Sequence, residues 1–124
     1  MRKVLIVEDE KKIRDLYKRM LKAEGLSVLE AENGEQATVM LLQDKQIDLF
    51  LLDIQVPVVN GAAFFDAVKL FNPQAKVVVS SVFPLDQQKS MIEGADDYYD
   101  KSEGMDVLMG RIKKILHLES ERIG

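Results

Sequence analysis

Charged and hydroxyl side chains follow four short segments of this chain that resemble strands. Glu8, Asp9 and Glu10 follow VLIV, Asp53 follows LFLL, Ser80 and Ser81 follow VVV, and Lys101 follows DYYD. The parallel strands of an open α/β sheet end at one common edge, and ligands bind beyond that edge. The pattern therefore predicts that several acids, a hydroxyl pair and a lysine gather in one site.

These residue types favour a particular chemistry. Crowded carboxylates repel one another, which raises their pKa unless a cation neutralises them. The chain has no cysteine and only one histidine, so an all-oxygen site of this kind suits Mg²⁺, which keeps several of its waters. A bound Mg²⁺ can hold one phosphoryl oxygen and a lysine another, while a carboxylate can be the nucleophile that accepts the group. The sequence thus indicates a magnesium-dependent site that forms an acyl phosphate.

The composition excludes several other classes of protein. The 124 residues are 47% hydrophobic and 31% charged, which is ordinary for one globular domain. A formal net charge of −4 argues against a general affinity for nucleic acid. No apolar run approaches the roughly 20 residues of a membrane span, and the N-terminal apolar run meets Glu8 instead of a small-residue cleavage site. We therefore expect a cytoplasmic protein that binds neither nucleic acid nor membrane directly.

Strand and helix patterns alternate five times along the chain. Continuous apolar runs predict buried parallel strands, with weaker candidates at the second and fifth places. The predicted strands are 4–7, 27–31, 49–52, 77–79 and 97–100. Such alternation implies a parallel sheet with right-handed crossovers and helices on both faces.

The intervening segments show helical periodicity and recognisable ends. Apolar residues at helical spacing mark the inward faces of the helices; in the first and third they are Ile13, Leu16, Tyr17, Met20, Leu21, Phe64, Phe65, Val68 and Phe71. Gly25 ends the first helix, and Asn33 caps the second. The third runs from Gly61 to before Pro73, and the last two cover about 85–93 and 104–117.

Two motifs add a family resemblance over residues 2–117. The segment DIQVPVVNG at 53–61 is similar to the signature D-x-x-M-P-x-x-D/N-G, and GADDYYDK at 94–101 is similar to G-A-x-x-Y/F-x-x-K. With the acidic pair Glu8-Asp9, these motifs resemble the CheY-like receiver domain of bacterial two-component response regulators. The resemblance implies a flavodoxin-like, doubly wound (βα)5 fold with strand order 2-1-3-4-5, formed by residues 1–117, and a polar tail or linker at 118–124.

The resemblance also implies a role for each site residue. Asp53 would be the phosphoacceptor, assisted by Lys101 and Ser80. Mg²⁺, for which Mn²⁺ can substitute, would be held by Glu8, Asp9, Asp53 and the backbone carbonyl of Gln55. Ser80 and Tyr98 would form the switch, with Ser81 as the alternative to Ser80. The family's proline after the lysine is replaced by Ser102, and its Met or Leu before the signature proline by Val56.

The implied function is phosphotransfer signalling and not enzymatic turnover. A sensor histidine kinase or phosphotransfer protein would supply the phosphoryl group, and the domain would assist both its own phosphorylation and a slow dephosphorylation. The face formed by the fourth helix, fifth strand and fifth helix would then control a homodimer or an effector, in a stand-alone protein or in a longer regulator.

Three other functions are compatible with parts of the pattern. A flavodoxin-like electron carrier shares the topology, but Glu8-Asp9-Glu10 would repel its phosphate. A phosphohydrolase with an aspartyl nucleophile usually needs a second acid two residues further on, where this chain has Gln55. A degenerate receiver that only binds proteins would not need the complete acceptor set.

Overall fold

Residues 2–55 and 60–118, which the computed structural model describes, contain one sheet of five parallel strands. The strands are β1 (Lys3–Val7), β2 (Ser27–Ala31), β3 (Leu49–Leu52), β4 (Lys76–Ser81) and β5 (Asp97–Asp100). Their order is β2-β1-β3-β4-β5. The predicted fold class and strand order are therefore confirmed, and β4 is longer at both ends than its apolar run.

Helices cover both faces of this sheet. They are α1 (Lys11–Ala23), α2 (Gly34–Gln43), α3 (Gly61–Phe71), α4 (Leu85–Met91) and α5 (Met105–Ile115). Side chains of α2 and α3, such as Leu41 and Phe64, pack with Phe50 in one buried cluster. Side chains of α1 and α5, such as Leu21 and Ile112, pack in a second cluster on the opposite face. Because both faces are covered, the central strands are apolar without alternation.

Capping residues and a glycine mark the helix termini largely where the sequence predicts. The Asn33 and Asn60 side chains accept hydrogen bonds from the N–H groups of Gln36 (2.8 Å) and Ala63 (2.9 Å). Such caps satisfy N–H groups that have no partner within the helix. At the end of α1, Gly25 adopts a φ of +84°, the left-handed conformation that glycine takes at little cost.

The end of α5 differs from the prediction of a polar tail beginning at 118. His117 has a φ of +60°, and the Leu118 N–H donates to the Lys113 carbonyl at 2.9 Å. This turn brings Leu118 back against the second buried cluster. The remainder of the predicted tail, 119–124, lies outside the described residues, as do Val56 and Pro57 of the signature motif.

Two residues predicted to lie in the core are partly exposed. Phe71 is 45% exposed because it is the last residue of α3, and the Lys45 ammonium lies 5.5 Å from its ring centroid. Leu16 is 38% exposed, since it lies about 100° around the helix from the buried Tyr17. Arg14, on the other side of Tyr17, is buried instead.

Candidate functional site

The strand register brings the acidic and basic residues to one edge. Val7 of β1 pairs with Leu52 of β3, and the next residue, Asp53, donates its N–H to the Val7 carbonyl at 3.0 Å. The Lys101 N–H donates to the Ser81 carbonyl at 2.8 Å, which extends the pairing of β4 with β5. Because all these strands run in parallel, their last residues emerge on the same side of the sheet.

Lys101 connects two buried carboxylates at this edge. Its ammonium donates to Glu8 Oε1 at 2.7 Å and to Asp53 Oδ2 at 3.0 Å. Glu8 is 2% exposed and Asp53 is 7% exposed, while Asp9 is exposed. The structure thus brings Glu8, Asp53 and Lys101 into direct contact although they are far apart in sequence.

The three acids lie close enough to share one cation. Glu8, Asp9 and Asp53 each offer a carboxylate oxygen, and these oxygens lie within 4.8 Å of one another. A cavity of about 200 Å³ opens beside them. It is lined by Glu8, Asp9, Glu10, Asp53, Gln55, Val82 and Lys101. An all-oxygen donor set with space for water fits Mg²⁺.

The electrostatics of the site favour such a cation. Burial raises the pKa of Glu8, the hydrogen bond from Lys101 opposes this shift, and the charge of Asp53 adds to it. Burial alone would lower the pKa of Lys101, but the hydrogen bond to Glu8 and the charges of Asp53 and Glu8 raise it above its usual value. One ammonium therefore faces more negative charge than it neutralises.

The Asp53 carboxylate is held at both oxygens. Its Oδ1 accepts the N–H of Gln55 at 3.0 Å, and its Oδ2 accepts from Lys101. Gln55 itself is exposed and lines the cavity. These two contacts fix the carboxylate at the mouth of the cavity, accessible from solvent yet largely buried.

The two serines of β4 lie on opposite faces of the sheet, which bears on the choice between Ser80 and Ser81 as the switch residue. The Ser80 hydroxyl is hydrogen-bonded to the Tyr17 hydroxyl at 2.8 Å, on the side of α1. Tyr98 belongs to the other cluster, together with Val79. Because side chains alternate along a strand, Ser81 and not Ser80 shares the face of Val79 and Tyr98.

Tyr98 is already buried in this structure. Its ring is 9% exposed, and its hydroxyl donates to the Ile92 carbonyl at 2.6 Å and accepts the Ala95 N–H at 3.2 Å. The ring is therefore tied to the segment between α4 and β5.

The loop after β5 is ordered without the proline of the resemblance. Both the N–H and the hydroxyl of Ser102 donate to Asp100 Oδ1, each at 2.8 Å. An aspartate that binds the backbone two residues further on forms a tight turn. Asp100 and Ser102 thus hold Lys101 between them.

Sequence reasoning did not find Arg14, whose side chain hydrogen-bonds to the backbone of the acidic residues that follow β1. Its Nη1 donates to the carbonyl of Glu8 at 2.8 Å and more weakly to that of Asp9 at 3.4 Å. Its Nε donates to Glu30 Oε1 at 3.3 Å. One sequence feature could have indicated this role: Arg14 follows Ile13 on the inward side of the first helix. A charged residue at such a position is rarely buried unless it has hydrogen-bond partners.

Gly61 allows the chain to pass close to Asp53, which leads to a prediction. A Cβ at Gly61 would meet the Asp53 carbonyl at 2.7 Å, whereas one at Gly110 would meet nothing within 4 Å. Gly61→Ala should therefore lower the free energy of unfolding by about 1–3 kcal/mol through overpacking. Gly110→Ala, in α5, should raise it by about 0.5–1 kcal/mol. Urea unfolding measures both, and equal effects of the two variants would contradict the expectation.

Comparison with known proteins is consistent with this geometry. A family model described as the response regulator receiver domain matches residues 4–113. The chain belongs to the response regulator receiver domain family. Receiver domains are signalling switches. Among the described residues no helix is long and apolar enough to cross a membrane.

Individual relatives of this receiver domain differ in length. It is 35% identical over 117 residues to the transcriptional regulatory protein CpxR of Escherichia coli, covering 94% of this chain and 50% of that protein. The chain thus spans about half the length of CpxR. It is 31% identical over 120 residues to sporulation initiation phosphotransferase F of Bacillus subtilis, covering 95% and 96% of the two chains.

One solved structure supports the same fold and family. The receiver domain is 32% identical to the response regulator protein TrrA of Thermotoga maritima, whose crystal structure is a complex with Mg²⁺-BeF. The TM-score is 0.83, and the match covers 92% of this chain and 98% of that chain. The fold and the family are therefore shared along nearly the whole described chain.

Proposed function

We propose that Asp53 accepts a phosphoryl group from the phosphohistidine of a sensor histidine kinase or a phosphotransfer protein. The observation that carries this proposal is the position of the Asp53 carboxylate, which contacts Lys101 at 3.0 Å within a cluster of three acids. Family membership supports the same function and favours it over electron transfer or phosphate-ester hydrolysis.

Each residue of the site has a role in this transfer. A carboxylate oxygen of Asp53 attacks the phosphorus, and the N–P bond of the donor breaks with its electron pair returning to the imidazole nitrogen. The N–H of Gln55 holds the second oxygen of Asp53 in place. Lys101, now paired with Glu8 and Asp53, would contact an equatorial phosphoryl oxygen and stabilise its charge.

Glu8, Asp9, Asp53 and the Gln55 carbonyl would hold Mg²⁺, or Mn²⁺ in its place. When bound, the metal neutralises the negative charge that these acids and a phosphoryl group would otherwise bring together. Burial raises the pKa of Glu8 and the charge of Asp53 adds to this shift, and a bound cation would oppose both by favouring the ionised carboxylate.

The signal would leave the site through β4 and α4. Ser81, whose hydroxyl now accepts the Phe83 N–H at 3.2 Å, is the hydroxyl we propose to move toward the phosphoryl group. It lies on the sheet face of Tyr98, so its movement changes the space around that ring. The face formed by α4, β5 and α5 then shifts between two states and controls a homodimer or an effector.

The test is incubation with acetyl phosphate, with and without Mg²⁺, followed by intact-mass measurement. One phosphoryl addition that requires Mg²⁺ is expected, and it should be followed by slow loss once the donor is removed. Asp53→Asn should abolish the addition, whereas Asp66→Asn, an exposed acid of α3, should leave it unchanged. No addition to the native protein under conditions that modify another receiver domain would reject the proposal.

A further inference from the structure

A buried glutamine connects α4 to the ends of two strands. Of the seven residues of α4, Gln88 is the one that is buried, and its side chain is 0% exposed. Its Nε2 donates to the carbonyls of Phe83 at 2.7 Å and Tyr99 at 3.0 Å. A third carbonyl, that of Ser81, lies at 3.4 Å. The helix is thus held to the sheet by a polar side chain at the place where helices usually bury an apolar one.

The bonded carbonyls lie next to the acceptor site. The Ser81 carbonyl that faces Gln88 also accepts the backbone N–H of Lys101 at 2.8 Å. Val82, between Ser81 and Phe83, lines the cavity beside Asp53. A single side chain of α4 therefore contacts the backbone on both sides of the cavity-lining residue and the strand that carries the site lysine.

Only one of the two polar groups of the Gln88 side-chain amide has hydrogen-bond partners. Gln88 Oε1 is buried and has no hydrogen-bond partner among the described residues. The two N–H groups of Nε2 are bonded to the carbonyls of Phe83 and Tyr99, whereas the amide oxygen stays unpaired, and a buried acceptor without a donor lowers stability. A displacement of Phe83 away from Nε2 would leave its carbonyl without the Gln88 hydrogen bond unless α4 moves with it, because buried carbonyls rarely stay unpaired.

We propose that Gln88 is the positioning residue that couples the acceptor site to α4. The inference rests on the proposed function, since it concerns how a change at Asp53 reaches the helix. Movement of the segment 81–83 toward the acceptor site changes the hydrogen bonds of the Gln88 amide, and α4 shifts with them. The contacts with Phe83, which follows β4, and with Tyr99 of β5 make this amide a point at which both segments meet the helix.

The first experiment uses the native protein. Beryllofluoride with Mg²⁺ serves as the phosphoryl analogue, and the side-chain amide signals of glutamine are followed by NMR. The Gln88 NH₂ signals should exchange slowly with solvent in the free protein and shift when the analogue binds. Those of Gln87, its exposed neighbour in α4, should do neither. Gln88 signals that stay unchanged on binding would overturn the proposal.

The second experiment separates coupling from simple stability. Gln88→Met keeps the length of the side chain and removes both the donor and the unpaired oxygen. In the free variant, the amides of 83–92 should exchange about tenfold faster than in the native protein, as the loss of a buried hydrogen bond implies. Beryllofluoride should still bind at Asp53, but the shifts of the α4 amides should be lost. Gln87→Met, the matched control, should behave like the native protein.

The outcomes distinguish the two proposals. If the native protein binds no analogue and gains no phosphoryl group, the proposed function fails. If the analogue binds and α4 responds equally in the native protein and in Gln88→Met, only the coupling role of Gln88 fails. If the Gln88→Met variant does not fold, the Gln88 NH₂ signals of the native protein still test the coupling role, because that experiment needs no substitution.

Discussion

Replacing Lys101 with methionine is expected to slow phosphoryl uptake by about a hundred- to a thousandfold, the effect of removing one preorganised charge-stabilising donor. Lys101 is the common partner of Glu8 and Asp53, at 2.7 and 3.0 Å. Without it two largely buried carboxylates lose their shared ammonium, and a phosphoryl oxygen loses its contact. The measurement is the initial rate of mass gain with acetyl phosphate at saturating Mg²⁺.

The variant has a second expected signature in its pH dependence. Loss of the ammonium should raise the pKa of Glu8 further, because the hydrogen bond that now opposes its shift is gone. Residual uptake should then increase as pH rises and Glu8 ionises.

The matched control is Lys76→Met, which removes the same charge from an exposed residue at the start of β4. It should react at the native rate. A Lys101→Met protein that reacts within about threefold of the native rate would show that the lysine does not stabilise the transferred group.

The positions of the strand ends explain why much of the site could be read from the sequence. Continuous apolar runs such as VLIV and LFLL mark where β1 and β3 end. Parallel pairing of the strands then determines which residues are neighbours at the edge of the sheet. Glu8, Asp53 and Lys101 follow directly from this. The strand order itself needed the family resemblance, because several orders satisfy the same alternation of strands and helices.

The choice between Ser80 and Ser81 shows the limit of that reasoning. The sequence places the end of β4 only to within one residue, and a shift of one residue moves a side chain to the other face of a sheet. The hydroxyl pair of Ser80 and Tyr17, at 2.8 Å, settles the face but is a contact between residues far apart in the chain. No local pattern contains it.

Arg14 and Gln88 were missed for a related reason. Each is a polar residue at a position that helical periodicity assigns to the buried face or its border, where its partners are backbone carbonyls of other elements. Periodicity ranks positions by hydrophobicity and therefore passes over a side chain that is buried for its hydrogen bonds.

Addition of Mg²⁺ is expected to stabilise the protein, and this is the second large effect. At a free concentration of about one hundred times the dissociation constant, a ligand that binds only the folded state raises the free energy of unfolding by about 2.7 kcal/mol. The acids Glu8, Asp9 and Asp53 lie within 4.8 Å of one another, an arrangement that exists only in the folded chain. Urea unfolding with Mg²⁺ and with a chelator measures the difference.

The metal-free protein should also lose stability as pH rises through the weakly acidic range. The folded-state pKa of Glu8 is raised by burial, so above the unfolded value of about 4.3 the folded state still binds a proton that the unfolded chain has released. Stability therefore falls with increasing pH until Glu8 ionises in the folded protein as well. Bound Mg²⁺ should weaken this dependence, because a cation favours the ionised carboxylate.

Asp53→Asn separates the metal effect from a general salt effect. It removes one of the three clustered acids, so the variant should be more stable than the native protein without metal and should gain little from Mg²⁺. Asp66→Asn changes an exposed acid in the same way and should keep the full Mg²⁺ effect. Equal stabilisation of both variants would mean that Mg²⁺ acts at the protein surface in general. The acidic cluster would then not be the Mg²⁺-binding site.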